Sequence, residues 1–203
     1  MELKRFLEKM SSDTPTPGGG SASALAGALS ASLVAMVAGL SSRKNKTKMK
    51  GMEGIRRKGL SIQKRLFRAI DEDSKSFDAV IKAFRLPKNS EKERLRRVRE
   101  IQKAYQRATL TPQLVCQQSL QLLEYSKTLI LKGNPNAISD AGVAAFLADA
   151  AFAGGILNIN INLAAVTEKA FAKKMNSLMG NWSRKRNQVM KAILKRLVGT
   201  YQA

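Results

Sequence analysis

Asp73 occupies an unusual position for a charged residue. On a helical wheel of about 100° per residue, the apolar residues Ile70, Phe77, Ile81 and Phe84 form one stripe, and Asp73 falls within it. A carboxylate that faces a core is costly unless it is paired, and burial raises its pKa toward values useful for proton transfer. The pattern predicts either a catalytic acid or base, or a buried ion pair with Lys or Arg from another helix.

A second candidate is the glycine-rich turn Pro15-Thr16-Pro17-Gly18-Gly19-Gly20-Ser21, which leads directly into a predicted helix. Free N–H groups at a helix start favour an anion, and glycines allow a ligand to approach the backbone closely. No Gly-Lys-Ser/Thr follows, so the turn is not a nucleotide P-loop. The alternative is a flexible connector in which Ser21 caps the helix.

A third set lies in the last third of the chain. Ser139 and Asp140 precede an apolar helix, where they could cap it or belong to a site. Asn158 and Asn162 share one helical face, and amides in an apolar helix need hydrogen-bond partners in the core or in a ligand. On a straight helix Asp140 and Asn158 would be about 27 Å apart. They can serve one site only if the helix breaks at Gly154-Gly155 or if two subunits contribute.

Composition limits the possible chemistry. The 203 residues suit a single domain, 1–203, and include no histidine and one cysteine, Cys116, which we expect in the core. Ser-His-Asp and Cys-His catalysis, histidine metal sites and thiolate clusters are therefore excluded. Lys and Arg number 36 against 15 Asp and Glu, and the resulting charge of +21 favours a polyanionic ligand or partner.

The uncharged stretch 21–40 is long enough to span a membrane, but Ala, Ser and Gly dominate it. A signal peptide would place its apolar stretch directly after a basic start, whereas here Asp13 and a Pro- and Gly-rich segment intervene. We expect no membrane insertion and a cytoplasmic location.

The elements that position these residues are helical. Strong helix formers fill long stretches, period-2 alternation is nearly absent, and Pro and Gly separate about six helices: 2–10, 21–42, 50–85, 90–108, 112–132 and 140–198. We expect the last stretch to be two helices, divided at Gly154-Gly155 or Gly180-Asn181, and we interpret 156–163 as helix despite its alternating Ile and Asn. The prediction is an all-α, single-domain helical bundle around a central Ala- and Gly-rich helix at 21–42.

The ordered set of motifs resembles the folate cyclodeaminase/cyclohydrolase family. It comprises Thr14-Pro-Thr-Pro-Gly-Gly-Gly-Ser21, Asp73-x-x-x-Phe77, Arg85-Leu-Pro-Lys88, Gly133-Asn134, Ser139-Asp140 and Asn158-x-x-x-Asn162-Leu163. The resemblance implies a homodimer with folate in a cleft beside the subunit interface. It implies ring closure of 5-formiminotetrahydrofolate with ammonia release, or hydrolysis of 5,10-methenyltetrahydrofolate to 10-formyltetrahydrofolate. Neither reaction requires a metal or a cofactor beyond the tetrahydrofolate substrate.

The same resemblance implies the residue roles. Asp140 and Asp73 are the expected catalytic carboxylates, with their division of labour unassigned, and Pro17, Gly18–Gly20, Ser21 and Ser139 are expected at the substrate. Asn158 and Asn162 would orient the pterin, and Arg85 would meet a glutamate tail, which carries several carboxylates if it is polyglutamylated.

Two other functions remain open at this stage. The basic runs at 43–68 and 184–196 are compatible with a helical nucleic-acid-binding protein whose affinity falls steeply with salt. That function does not account for a carboxylate in an apolar stripe or for the glycine-rich turn. The other is a non-catalytic relative that keeps the fold and binds a folate or a partner protein.

Overall fold

The computed structural model describes residues 2–44 and 49–201. Within these ranges the chain forms seven α-helices and one short 3-10 turn, Pro135–Ala137, and no strand. The helices are α1 (Leu3–Met10), α2 (Gly19–Lys44), α3 (Met49–Phe84), α4 (Glu91–Ala108), α5 (Leu110–Lys132), α6 (Ile138–Leu163) and α7 (Lys169–Tyr201). The all-α prediction is confirmed.

Helix α2 lies at the centre of the bundle and packs against α3, α5 and α6. Its small side chains allow the neighbouring backbones to approach closely: the buried Ser30 hydroxyl donates a hydrogen bond of 2.7 Å to the carbonyl of Ala144 on α6. Ser23 faces Gly154, further along α6, so the two helices run antiparallel. The predicted central Ala- and Gly-rich helix is thus present.

Helices α3 and α4 form a hairpin with its own apolar contact, made by Val80, Ala83, Ile101, Ala104 and Ala108. The loop between them ends in a capping box, in which the Ser90 hydroxyl accepts from the backbone of Glu93 and the Glu93 carboxylate accepts from the backbone of Ser90. Residues of both helices of this hairpin line the site described below.

The prediction of two helices in the last stretch, 140–198, is confirmed, but the predicted position of the break between them is wrong. Two helices are present, but the chain leaves helical structure after Leu163 and α7 begins at Lys169. Helix α6 runs without interruption through Gly154-Gly155, and α7 runs through Gly180-Asn181. The first two glycines serve close packing: a side chain at Gly154 would overlap Ser23, and one at Gly155 would come within 2.6 Å of Cys116 Sγ. The interpretation of 156–163 as helix is confirmed.

Helix α6 leaves an apolar stripe uncovered. Val143 and Phe146 are each 50% exposed, Leu157 is 68% exposed and Ile161 is 70% exposed. Exposed alanines fill the middle, so the α6 stripe consists of Val143, Phe146, Ala150, Ala153, Leu157 and Ile161. On α2, Leu29 and Met36 are also about half exposed. Large apolar side chains at regular helical spacing on a surface typically mark an interface.

By length and composition, the segments Gly19–Ser42 and Pro135–Leu163 would each be capable of crossing a membrane. Here they are neighbours in one bundle and supply much of its core, as apolar core helices do. Two such helices are weak evidence for a membrane protein.

Candidate active site

A cavity of about 380 Å³ opens where the glycine-rich turn, the C-terminal third of α3, the end of α4 and the end of α6 meet. Three of the predicted site segments border it, although they are distant in sequence. Its lining comprises Pro15, Thr16, Gly18, Gly19, Gly20, Asp73, Ser76, Phe77, Val80, Ile81, Phe84, Tyr105, Ala108, Asn158, Ile161 and Asn162. The turn, Asp73 and the two asparagines therefore form one site within a single chain.

Asp73 is the only ionisable carboxylate in that lining. Its Oδ2 accepts a hydrogen bond of 3.0 Å from the Ser21 hydroxyl, which also lies 2.9 Å from the carbonyl of Ile70. Desolvation by burial raises the pKa of Asp73, while the side-chain and backbone hydrogen bonds from Ser21 act in the opposite direction. No ion pair within the described ranges involves Asp73, so the structure does not show the buried ion pair that was one of the two sequence interpretations.

Ser21 lies behind the carboxylate rather than in the cavity wall. Its side chain is completely buried, and because α2 begins at Gly19 it is inside the helix and is not the N-cap. Ser21 therefore positions Asp73 and is shielded from a ligand. The backbone N–H of Ser21, in the first turn of α2, also donates to this carboxylate, and a helix N-terminus favours the charged form.

Gly20 leaves the space that the Asp73 carboxylate fills. A Cβ atom at Gly20 would overlap the carboxylate oxygens and lie 2.5 Å from Cγ. The clash is with the end of a side chain that can rotate, so the fold can absorb it by moving Asp73. At Gly19 the corresponding Cβ would meet only Asn158 Nδ2, at an ordinary 3.8 Å.

We therefore expect Gly20→Ala to reduce turnover by roughly tenfold or more, because displacing a proton-transfer group by about 1 Å is costly. Gly19→Ala is the matched comparison: it adds the same methyl group to the same turn without touching Asp73, so its loss of rate should be clearly smaller. Initial rates and thermal unfolding of both variants provide the measurement. Equal losses of rate in the two variants would contradict this role for Gly20.

Asn158 and Asn162 present acceptors to the cavity. Asn158 Nδ2 donates to the carbonyl of Gly154 at 2.8 Å, and Asn162 Nδ2 donates to the carbonyl of Ala108 at 3.0 Å. With the amide nitrogens engaged, the Oδ1 atoms have no partner among the described residues. Two fixed acceptors in a half-buried wall suit a ligand rich in N–H donors.

The apolar stripe of α3 is only partly core. Ile70 and Val80 are buried, but Phe77 is 38% exposed and Phe84 is 43% exposed, and both line the cavity. Phe84 packs edge-to-face against Tyr105, with ring centroids 6.2 Å apart. The wheel therefore located Asp73 on the correct face, but that face is largely the wall of a binding site. Tyr105 was not selected from the sequence, where nothing distinguishes it.

Four predicted residues lie elsewhere in the single chain. Ser139 and Asp140 are in the first turn of α6, and because α6 is unbroken Asp140 is about 27 Å along the helix from Asn158. Arg85 is exposed just beyond α3 and is not in the cavity lining. Pro17 is buried and faces a neighbouring, larger cavity of about 640 Å³ under α1, whose charged residues are all exposed at its rim.

Cys116 is fully buried, and desolvation raises the pKa of its thiol to about 12, which rules it out as a nucleophile at neutral pH. Across residues 2–44 and 49–201, no group of three or more Cys, Asp or Glu side chains is placed to hold a metal ion.

Comparison with known proteins now identifies the scaffold. The family model described as formiminotransferase-cyclodeaminase matches residues 2–180. The chain belongs to this family. Within the formiminotransferase-cyclodeaminase family it is 36% identical over 174 residues to a methenyltetrahydrofolate cyclohydrolase of Methylorubrum extorquens, an alignment that covers 85% of this chain and 84% of that protein.

Other members of the family are similar in different ways. The chain is 28% identical to the formimidoyltransferase-cyclodeaminase of Mus musculus, but the alignment covers only 32% of that longer protein. The crystal structure of a formiminotetrahydrofolate cyclodeaminase from Thermotoga maritima superimposes with a TM-score of 0.89 at 28% identity, covering 99% of this chain and 98% of that one. The fold of the whole chain is thus that of a family member.

Proposed function

We propose that this protein is a one-carbon folate enzyme that hydrolyses 5,10-methenyltetrahydrofolate to 10-formyltetrahydrofolate. The observation that carries the proposal is the partly buried carboxylate of Asp73, held by Ser21 in a cavity with two free amide acceptors and an aromatic wall. The second candidate reaction is ring closure of 5-formiminotetrahydrofolate, because the superimposable structure from Thermotoga maritima is named a cyclodeaminase. We favour the hydrolysis because the alignment with the cyclohydrolase relative covers 85% of this chain and 84% of that protein.

Asp73 suits both the charge and the proton balance of the hydrolysis. The methenyl carbon lies between N5 and N10 and shares a positive charge with them, so an adjacent carboxylate stabilises the bound substrate electrostatically. Water adds its oxygen to this carbon and gives one proton to the carboxylate. The bond from carbon to N5 then breaks while the hydroxyl of the intermediate loses its proton and becomes the formyl carbonyl. N5 takes up one proton, one proton is released overall, and the formyl group remains on N10. In the ring closure, N10 attacks the formimino carbon and loses its proton to a base, and the formimino nitrogen takes up a proton and leaves as ammonia.

The other walls fit the rest of the molecule. The pterin ring carries amino and ring N–H donors, which match the free Oδ1 atoms of Asn158 and Asn162. The p-aminobenzoyl ring is flat and apolar and fits against Phe77 and Phe84. We propose no cofactor beyond the tetrahydrofolate substrate, and a cytoplasmic location in keeping with that substrate.

We further propose that the protein is a homodimer in which the α6 stripe packs against the same stripe of a second copy. The stripe has small residues, Ala150 and Ala153, at its centre and large ones toward both ends. When two copies cross antiparallel about this centre, Val143 of each lies opposite Ile161 of the other, and both large ends are covered.

The antiparallel arrangement also gives Asp140 a role. Asp140 lies one turn before Val143, while Ile161 lines the cavity that contains Asp73. In this dimer, Asp140 of one copy therefore lies at the rim of the cavity of the other copy. It is about 27 Å along the helix from Asn158 in the cavity of its own chain. A parallel pairing would instead place two Asp140 carboxylates side by side, which is unfavourable. Each site then contains Asp73 from one subunit and Asp140 from the other.

The activity is tested with the two folates separately, by following absorbance of the methenyl chromophore. We expect the signal to decay faster than in buffer when 5,10-methenyltetrahydrofolate is supplied. With 5-formiminotetrahydrofolate, an increase would show the ring-closing reaction. Rates no higher than buffer with both folates, under conditions where the protein is folded and dimeric, would refute the proposed activity.

A further inference from the structure

Helix α7 carries a large excess of positive charge. Its 33 residues include nine Lys and Arg and no Asp or Glu. An acid four positions from a base stabilises a helix, whereas like charges at that spacing destabilise it. Two acidic side chains from other helices pair with α7, Glu124 with Lys185 and Asp149 with Arg186. These pairs leave most of the excess charge uncompensated.

Part of this charge lies in one line on the side of α7 that faces solvent. Met175, Ile193 and Leu197 mark the buried side of the helix, and the opposite side recurs at intervals of three or four residues. Seven exposed residues follow this line, which we call the α7 stripe: Lys173, Ser177, Asn181, Arg184, Gln188, Lys191 and Lys195. Within residues 2–44 and 49–201, none of its four cations forms an ion pair.

Neither the helix nor the candidate active site accounts for these cations. A helix C-terminus favours positive charge only within about its last turn, and Lys195 precedes the last turn of α7. None of the four cations lines the cavity that contains Asp73. Arg184, Lys191 and Lys195 also lie beyond residues 2–180, to which the family model matches. An exposed row of uncompensated like charges favours a polyanionic partner.

The length and composition of the α7 stripe indicate which polyanion it fits. Lys173 and Lys195 are about 33 Å apart along the helix axis, at about 1.5 Å per residue. This length is close to the roughly 34 Å of one turn of a nucleic acid duplex. Ser177, Asn181 and Gln188 lie between the cations, and side chains of these types donate hydrogen bonds to phosphate and sugar oxygens.

The α7 stripe lacks the features that other polyanionic partners require. It contains no apolar side chain, whereas the centre of a protein–protein interface is rich in apolar and aromatic residues. It also contains no aromatic side chain, whereas proteins that bind single-stranded nucleic acid stack the bases on aromatic rings. The composition therefore favours the phosphate backbone of a duplex over an acidic protein or a single strand.

We propose that the α7 stripe binds the phosphate backbone of double-stranded nucleic acid without reading its sequence. The contacts are those of cations and polar donors with phosphates, so the affinity falls steeply as the salt concentration rises. This activity is independent of the proposed folate reaction, because the α7 stripe and the cavity share no residue.

The test measures fluorescence anisotropy of a labelled DNA duplex of about two helical turns, titrated with the wild type and with Arg184→Ala/Lys191→Ala at several salt concentrations. Each lost phosphate contact removes about 0.9 from the slope of log affinity against log salt, so the double variant should lower the slope by about 1.8. Its affinity near 0.1 M salt should fall roughly tenfold or more. Wild-type affinity and slope in this variant would overturn the proposal.

Lys92→Ala/Arg99→Ala is the matched control. Lys92 and Arg99 are exposed and seven residues apart on α4, as Arg184 and Lys191 are on α7, but α4 also carries three glutamates. The control removes the same two charges from the protein, so its affinity for the duplex should stay near the wild-type value. Equal losses in the two double variants would show attraction by net charge alone and would overturn the α7 stripe as the site.

Competition experiments test the choice of partner. Unlabelled DNA and RNA duplexes of the same length should both displace the labelled duplex, because the phosphate backbone is common to them. A single strand and poly-L-glutamate of matched charge should displace it less well. Stronger displacement by poly-L-glutamate would indicate an acidic protein as the partner, and stronger displacement by the single strand would exclude a duplex site. Arg184→Ala/Lys191→Ala should retain the wild-type rate with folate substrates, and a lost rate would contradict the independence of the two activities.

Discussion

Asp73→Asn is expected to lower turnover of 5,10-methenyltetrahydrofolate by about a hundredfold or more, the loss typical of removing a general acid or base. The amide is nearly isosteric and can still accept the hydrogen bond from Ser21, so the geometry of the cavity should be preserved. It cannot take a proton, and it does not stabilise a cationic carbon as a carboxylate does. Initial rates at saturating substrate provide the measurement, and a variant with wild-type rates would refute the role of Asp73.

Stability measurements show whether a loss of rate is merely a loss of fold. Burial raises the pKa of Asp73 in the folded state above its value in the unfolded state. The stability that the protonated side chain contributes is therefore present at pH values below the unfolded-state pKa. It is lost as the pH rises through the folded-state pKa. Near neutral pH the charged group therefore costs stability, and removing it should leave the melting temperature equal or higher. This difference should shrink as the pH is lowered. A large destabilisation at neutral pH would instead indicate a structural role.

The pH dependence of the wild type follows from the same shift. If Asp73 acts as the base, the rate falls as it becomes protonated, and the midpoint should lie above the ordinary range for an aspartate side chain. This acidic limb should be absent from the residual activity of Asp73→Asn. Because the chain contains no histidine, no imidazole contributes to the profile.

The second large effect concerns the proposed sharing of the site between subunits. Asp140→Asn and Asp73→Asn should each be nearly inactive as homodimers if each site needs both carboxylates. In a heterodimer of the two variants one site carries both substitutions and the other carries neither. Heterodimers isolated with two different tags should therefore regain about half of the wild-type activity, since one of two symmetric sites is intact.

The control is a heterodimer of Asp73→Asn with a second, differently tagged Asp73→Asn subunit, in which neither site is intact and no activity should return. Wild-type rates in homodimeric Asp140→Asn would remove that residue from the mechanism. An inactive mixed heterodimer of the two variants would show that the carboxylates do not meet across the interface, and the antiparallel packing of the α6 stripe would be wrong.

The fold was largely predictable because its local signals agree. Helix formers, Pro and Gly placed nearly all boundaries within about two residues, the usual uncertainty of such ends. The exception came from Gly154-Gly155, where glycine serves close contact with Ser23 and Cys116 instead of ending a helix. The sequence shows only that a glycine is present. Whether that glycine ends a helix or allows a neighbouring helix to pack closely depends on the tertiary structure.

The site was only partly predictable, because the sequence orients a side chain on its own helix but does not show what that side chain faces. A helical wheel orients Asp73 relative to its own helix, and so it found the correct face. It cannot tell whether that face meets another helix or a cavity, and Phe77 and Phe84 were therefore taken for core. Tyr105 gave no signal, because its position in the site depends on how α4 folds back onto α3.

The burial of Cys116 has a practical consequence for labelling. A fully covered thiol with a pKa of about 12 should not react with maleimide or iodoacetamide in the native protein at neutral pH. Cysteines introduced at exposed positions away from the α6 stripe and the cavity, such as Leu3 and Val98, can therefore be modified selectively without first removing the native one. Spin labels or fluorophores attached there would report distances in solution from a protein whose interior is otherwise unchanged.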